Sequence, residues 1–231
     1  VKTIGLIGGM SWESSIEYYR ILNQTVRERL GGLHSAKCIM FSVDFADIER
    51  FQHQGDWSAA AEVLVEAAQQ LQMAGASVVL LCTNTMHKLA ADIEARISVP
   101  FLHIADAVGD CIQAKGCHRV GLLGTKFTME QDFYRQRLAE RYGLEVLVPE
   151  LADRDRIHQI IYTELCLGHI RPDSAQALQT IIESLVKQGA EGIILGCTEL
   201  ELLVTPSVTS TTLWPTTQIH AEAAVDYALA G

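Results

Sequence analysis

The chain has 231 residues, 48% of them apolar, and a formal charge of −10. That much Leu, Ile, Val and Ala excludes a disordered chain and suffices for one large core or two smaller ones. The acidic balance argues against nucleic acid and anionic membrane surfaces as partners, so an anionic ligand would have to be met by local backbone amides. No run approaches the roughly eighteen apolar residues of a membrane span, and VKTIGLIGGMSW lacks the basic region and long apolar stretch of a secretory signal, so a cytoplasmic protein is expected.

In chain order, KTIGLIG reads as a buried strand. After Ser11, the apolar residues Ile16, Tyr19, Leu22, Val26 and Leu30 recur at helical spacing until Gly31-Gly32 stops them. CIMFSV, SVVLLC, PFLHI, RVGLLG, LEVLV and GIILG are short apolar runs that suit strands. Amphipathic stretches lie between most of them, including Trp57 to Met73, Met129 to Tyr142 and Ser174 to Val186. This alternation predicts α/β architecture with mostly parallel sheet covered by helices. TQIHAEAAVDYALA, at the end, reads as a helix that returns to the first half.

Two segments repeat. Ile4–Gly8 resembles Val120–Gly124 at an offset of 116, and Gly75–Thr85 resembles Gly189–Glu199 at an offset of 114. Two matches in the same order at nearly one offset point to two similar halves. The expected division is residues 1–107 with 215–231 as an N-terminal domain, and 108–214 as a C-terminal one. Aligned without a gap, the second pair sets Cys82 on Gly196 and Thr83 on Cys197. Adjacent residues of a strand point to opposite faces, so Thr83 takes the position equivalent to Cys197 and Cys82 packs behind it.

The six cysteines have no CxxC spacing, and by default they are reduced core residues. Cys117-His118 and His34 lack metal-ligand spacing, and GLIGGM does not fit G-x-G-x-x-G, so neither a metal nor a dinucleotide is expected. Thr83-Asn84-Thr85 and Cys197-Thr198-Glu199 fall where strands turn into helices. Such turns bind carboxylates in open α/β sheets, and a helix N-terminus there would lower a thiol pKa. Taken singly, each segment is equally compatible with a helix cap or a buried thiol. His87, four residues past Thr83, is open to an assisting or a structural role.

Thr83-Asn84-Thr85, Gly196-Cys197-Thr198-Glu199-Leu200, the opening GGMSWESS and the terminal IHAEAAVDYAL together resemble the aspartate/glutamate racemase superfamily, in its aspartate racemase-like branch. The resemblance spans the chain. It implies two pseudo-symmetric flavodoxin-like domains with the site at their interface, a homodimer, and racemisation of acidic amino acids without pyridoxal phosphate or other cofactor. Two bases would carry the reaction, Thr83 and Cys197 by position, with Cys197 serving the L-enantiomer. Thr83 stands where the family has a cysteine, and an alcohol is a far poorer acid and base than a thiol. The substrate-binding positions implied are Met10, Ser11, Asn84, Thr85 and Thr198, with Glu199 orienting Cys197 or receiving the ammonium and Gln52 or Arg50 as a clamp. In aspartate-specific relatives a basic residue comes from the segment resembling IYTELCLG; Glu164 and Cys166 stand here without a lysine, which leaves room for glutamate. The alternatives are a single-cysteine decarboxylase or isomerase of small dicarboxylic acids, and a non-catalytic protein that binds a small acid.

Overall fold

The computed structural model describes residues 1–205 and 209–230. The chain begins with β1 (Ile4–Gly8), α1 (Trp12–Leu30), β2 (Cys38–Ser42), α2 (Phe45–Gln54), α3 (Trp57–Met73) and β3 (Val78–Leu81). A 3-10 turn (Thr85–Leu89), α4 (Ala90–Glu94), β4 (Phe101–Leu102) and α5 (Ile104–Ala114) follow. Next come β5 (Arg119–Gly124), α6 (Lys126–Glu130), α7 (Asp132–Tyr142), β6 (Glu145–Leu147), α8 (Leu151–Thr163) and a 3-10 turn (Leu165–Leu167). The chain ends with α9 (Pro172–Lys187), β7 (Gly192–Gly196), α10 (Leu200–Leu203), β8 (Thr212–Pro215) and α11 (Thr216–Leu229).

Among the described residues the strands form two four-stranded sheets, ordered β2-β1-β3-β4 and β6-β5-β7-β8, with every pairing parallel. The order 2-1-3-4 is flavodoxin-like and recurs in both sheets. Each sheet belongs to its own compact unit: Val1–Ile104 with the segment from Thr217 onward, and Ala105–Thr216. The repeated segments coincide with β1 and β5 and with β3 and β7, which are the central strands of the two sheets.

In the first unit the pleat sorts side chains between two cores. Leu6, Val78, Leu80 and Cys82 pack with Tyr18 and Leu22 of α1 and Ala221, Ala224 and Val225 of α11. Ile7, Val79 and Leu81 pack with Ala60, Leu64 and Leu71 of α3. Each fully buried Leu, Ile or Val contributes roughly 1.5–3 kcal/mol. In the second unit Leu123, Ile193, Leu195 and Cys197 pack with Ile157 and Ile161 of α8 and Leu178, Ile182 and Leu185 of α9.

Three elements differ from the sequence reading. The helix after Ser11 forms and buries Leu22 and Val26 of the apolar series, but Ile16, Tyr19 and Leu30 are exposed, and Ser14, Ser15, Tyr18, Ile21 and Thr25 complete the buried face. Its small polar residues let it lie close on the β1 loop, which leaves an apolar stripe outside. The stretch Met129 to Tyr142 breaks at Gln131, whose extended backbone (φ −88°, ψ 151°) ends α6 and begins α7. Met129 joins the α8–α9 core, while Tyr134 and Leu138 are buried outside that cluster, so one straight helix does not serve both. TLWP, which carries no period-2 pattern, forms the edge strand β8, where a terminal proline is tolerated.

Candidate active site

In a parallel sheet, loops at the carboxyl ends of neighbouring central strands form the crevice that receives ligands. In the first unit these strands are β1 and β3, in register through Ile7 and Leu81. The loop after β1 turns at Gly9, whose φ of +95° favours glycine and whose added Cβ would stand 2.2 Å from the Val43 carbonyl oxygen. The Gly9 N–H donates to Ser15 Oγ at 2.8 Å, and that hydroxyl donates to the Ser11 carbonyl at 3.0 Å. Ser11 Oγ caps α1 by accepting from the Ser14 N–H at 3.4 Å. Met10 and Ser11 are thus held nearly fully buried.

After β3, the Cys82 N–H extends the ladder by donating to the Ile7 carbonyl at 2.9 Å. Cys82 itself is buried in the α1–α11 core, and burial pushes its thiol pKa far above the ordinary value, with the Cys38 sulfur adding to the effect. Thr83, Asn84 and Thr85 follow, all buried. The helical segment there is a five-residue 3-10 turn, and Asn84 makes no side-chain cap to it. Gln52, buried at the end of α2, donates from Nε2 to Met86 Sδ at 2.9 Å, which ties α2 to this turn. Met10 and Met86 share one core. The first unit therefore gathers Met10, Gln52, Thr83, Asn84 and Thr85 at one end of its sheet, with Ser11 opening α1 beside them. Arg50 stands apart, exposed and paired with Asp47 at 2.8 Å.

In the second unit the equivalent strands are β5 and β7. They approach closely because Gly124 and Gly196 face each other, and a Cβ on Gly124 would lie 2.8 Å from the Gly196 carbonyl oxygen. Cys197 follows directly, 8% exposed and packed in the α8–α9 core. Its thiol donates to Glu199 Oε2 at 2.9 Å, and Thr198 Oγ1 donates to the same oxygen at 2.7 Å. The Cys197 pKa is pushed well above the ordinary thiol value by burial first, then by the charges of Glu199 and Cys166 and the hydrogen bond to Glu199. The lowered pKa expected from a helix N-terminus is not what this geometry produces. The helix that follows, α10, has only four residues, too short for a strong dipole, and a buried carboxylate adjoins the sulfur.

Four further residues lie near these turns, and of them only Thr125 had no place in the sequence reading. Cys166 is partly buried against the Cys197 core, and Glu164 accepts from Ser174 Oγ at 2.6 Å. Thr125, the residue after β5, caps α6 through Thr128 and stands where Gly9 follows β1. The repeat of IGLIGG in VGLLGT was the available signal for Thr125. His87 donates from Nδ1 to the Thr83 carbonyl at 2.7 Å. Among the described residues no group of three or more His, Cys, Asp or Glu is arranged to hold a metal ion, and no helix is long and apolar enough to cross a membrane.

Comparison with known proteins bears on both halves at once. A putative Asp/Glu racemase from Yersinia pestis superposes with a TM-score of 0.93 at 55% identity, covering 99% of this chain and 100% of that one. An aspartate racemase homologue from Pyrococcus horikoshii OT3 superposes at 0.86 with 34% identity, covering 99% of each chain. A broad specificity amino-acid racemase, RacX of Bacillus subtilis (strain 168), is 26% identical over 152 residues, which are 64% of this chain and 63% of that relative. The family model for Asp/Glu/Hydantoin racemase matches residues 7–224, from within β1 into α11 and through both strand-end turns. With sheet order, repeat and family model in agreement over nearly the whole sequence, this chain belongs to the Asp/Glu/Hydantoin racemase family.

Proposed function

We propose that the protein is a cofactor-independent racemase of aspartate and glutamate, in which Cys197 removes the α-proton of the L-enantiomer and Thr83 governs return of a proton to the other face. The observation that carries this reading is the Cys197–Glu199 contact at 2.9 Å. A neutral thiol is no base, and Glu199 is the carboxylate in place to take the sulfur's proton when a substrate ammonium arrives to favour the thiolate. Further support comes from family membership and from the equivalent strand-end positions of Thr83 and Cys197. Asn84, Thr85 and Thr198 supply donors for the α-carboxylate, with Met10, Ser11 and Gln52 shaping the first unit's part. Glu164 and Cys166, in place of a lysine, leave the distal carboxylate without a fixed cation on that segment, which favours a range that includes glutamate.

A racemase has an overall equilibrium constant of unity, so a slow Thr83 step cannot make it one-way. It separates two rates instead. Proton NMR in D2O with L-aspartate and L-glutamate is expected to show α-proton loss running ahead of D-product formation by at least about tenfold, as unequal acid–base partners imply. Equal rates of exchange and inversion would remove the assignment of Thr83 as the limiting group. No exchange with either enantiomer of either amino acid would sink the racemase reading and favour the decarboxylase or binding-protein alternatives.

The protein is further proposed to act as a homodimer. Support comes from the outer stripe of α1, where Trp12, Ile16 and Tyr19 recur at helical spacing and, with Met40 of the edge strand β2, border a groove of about 430 Å³. A two-fold axis beside β2 would pair that edge with its own copy and bury the stripe against itself. Sedimentation velocity is expected to give twice the chain mass for the wild type and the single-chain mass for Ile16→Lys. A monomeric wild type at tens of micromolar would refute the dimer.

A further inference from the structure

Beneath the Thr83 turn lies a cluster of buried imidazoles. The His87 ring lies 4.6 Å from that of His103 and 5.7 Å from that of His220, and all three residues are at most 4% exposed. The hydrogen bonds of two of them define their tautomers. His87 Nε2 accepts from the Ile104 N–H at 3.1 Å, so the proton of a neutral ring sits on Nδ1 and is donated to the Thr83 carbonyl at 2.7 Å. The Leu102 carbonyl lies 2.9 Å from His220 Nε2, which donates to it, while Nδ1 accepts from Tyr18 Oη at 2.8 Å. Burial holds the His220 pKa down to about 4, so that ring stays neutral.

The local backbone explains why a side chain is needed here. In an α-helix the His87 N–H would reach back four residues to the Thr83 carbonyl. In the 3-10 turn it reaches back three, to the Asn84 carbonyl at 3.1 Å. The imidazole of the same residue supplies the longer connection. Its far nitrogen is anchored on the backbone just past β4, so the ring acts as a strut between Ile104 and the carbonyl of Thr83.

We infer that His87 is a positioning residue for Thr83, its neutral Nδ1–H tautomer fixing the turn from which the threonine side chain works. Its role in inversion rests on the racemase reading above, because only there do proton removal and proton return fall to different residues. Loss of the strut displaces Thr83 and leaves Cys197, in the other unit, as it was. Misplacement of a reacting group by about 1 Å costs on the order of 10²-fold.

The test compares His87→Asn, His87→Gln and His87→Leu by α-proton exchange of L-aspartate and L-glutamate in D2O alongside chiral analysis of the product. Asn carries an amide N–H near the place of Nδ1 and retains the link to Thr83. Gln reaches toward Ile104 without it, and Leu makes neither bond. The ratio of inversion to exchange is expected to fall by about 10- to 100-fold in the Gln and Leu variants, and to stay within about 3-fold of wild type in the Asn variant. A general loss of packing would lower both rates together, and that parallel loss, or an unchanged ratio in all three, overturns the inference. Nitrogen-15 NMR of the wild type reads the strut without reference to activity: the neutral His87 ring is expected to carry its proton on Nδ1, and a neutral ring with its proton on Nε2 overturns the assignment. Absence of exchange in the wild type, with the Nδ1–H tautomer present, refutes the racemase reading and with it the role in inversion.

Discussion

Cys197→Ser is expected to abolish α-proton exchange of L-aspartate and L-glutamate, lowering it by about 10²–10⁴-fold, the range by which a positioned acid–base group accelerates proton transfer. The substitution is close to isosteric and keeps a donor for Glu199 Oε2, the contact that Cys197 makes at 2.9 Å. Its chemistry is another matter. The thiol already sits well above its ordinary pKa because it is buried beside a carboxylate, and an alcohol in that place is a far weaker acid still. No accessible amount of alkoxide would replace the thiolate. Binding should survive, since Thr198, Asn84 and Thr85 are unchanged. Isothermal titration with L-glutamate is therefore expected to give a dissociation constant within about 5-fold of wild type, a spread of roughly 1 kcal/mol. Retained exchange in this variant would remove Cys197 from the chemistry, and wild-type binding without any turnover would identify a binding protein.

Gly9→Ala is expected to be the most damaging single-methyl change at the site. The backbone there has φ +95°, and the new Cβ would meet the Val43 carbonyl oxygen at 2.2 Å and the Val43 nitrogen at 2.8 Å. Both neighbours are main chain, so no rotamer change relieves the clash. Backbone strain of about 1–3 kcal/mol and overpacking of about 1–3 kcal/mol together amount to roughly 2–6 kcal/mol. For a chain of this size that corresponds to a Tm lowered by about 4–24 °C. Gly55→Ala provides the comparison. Gly55 also has a positive φ, +71°, but nothing lies within 4 Å of its added Cβ, so only the conformational cost of about 1–2 kcal/mol remains. Calorimetry giving equal Tm shifts for the two would show that the Gly9–Val43 approach does not constrain the loop. The Gly9 N–H also holds Ser15 Oγ, which bonds the Ser11 carbonyl, so the Gly9 variant should weaken substrate binding in step with its loss of stability.

Much of the architecture was legible in the sequence for a local reason. Short apolar runs bounded by glycine and alternating with helical periodicity leave few arrangements besides a parallel sheet with helices, and an internal repeat at nearly constant offset implies two of them. The same repeat, combined with the pleat, distinguished Thr83 from Cys82: neighbouring strand residues face opposite sides, and Cys82 lies in the α1–α11 core. Periodicity also located α1 and its buried Leu22 and Val26, but it misjudged the first two turns. Ile16 and Tyr19 look like core positions by spacing, whereas the serines at 14 and 15 are the ones that fit against the loop after β1.

Tertiary structure alone decided the properties that depend on what surrounds a group. Strand-to-helix position suggested a lowered pKa for Cys197, yet burial and the Glu199 carboxylate outweigh the dipole of a four-residue helix and raise it. Gln52 meets Met86 across 34 positions of sequence, and the His87 ring, which holds the Thr83 carbonyl, reaches Ile104 across 17. Neither contact follows from propensity or periodicity. The sequence by itself determined the central strands, the residues that end them and most of the helices between, because those depend on near neighbours, whereas the break between α6 and α7 and the edge strand β8 came from packing. The charge on a thiol and the placement of a turn depend on atoms that only folding brings near.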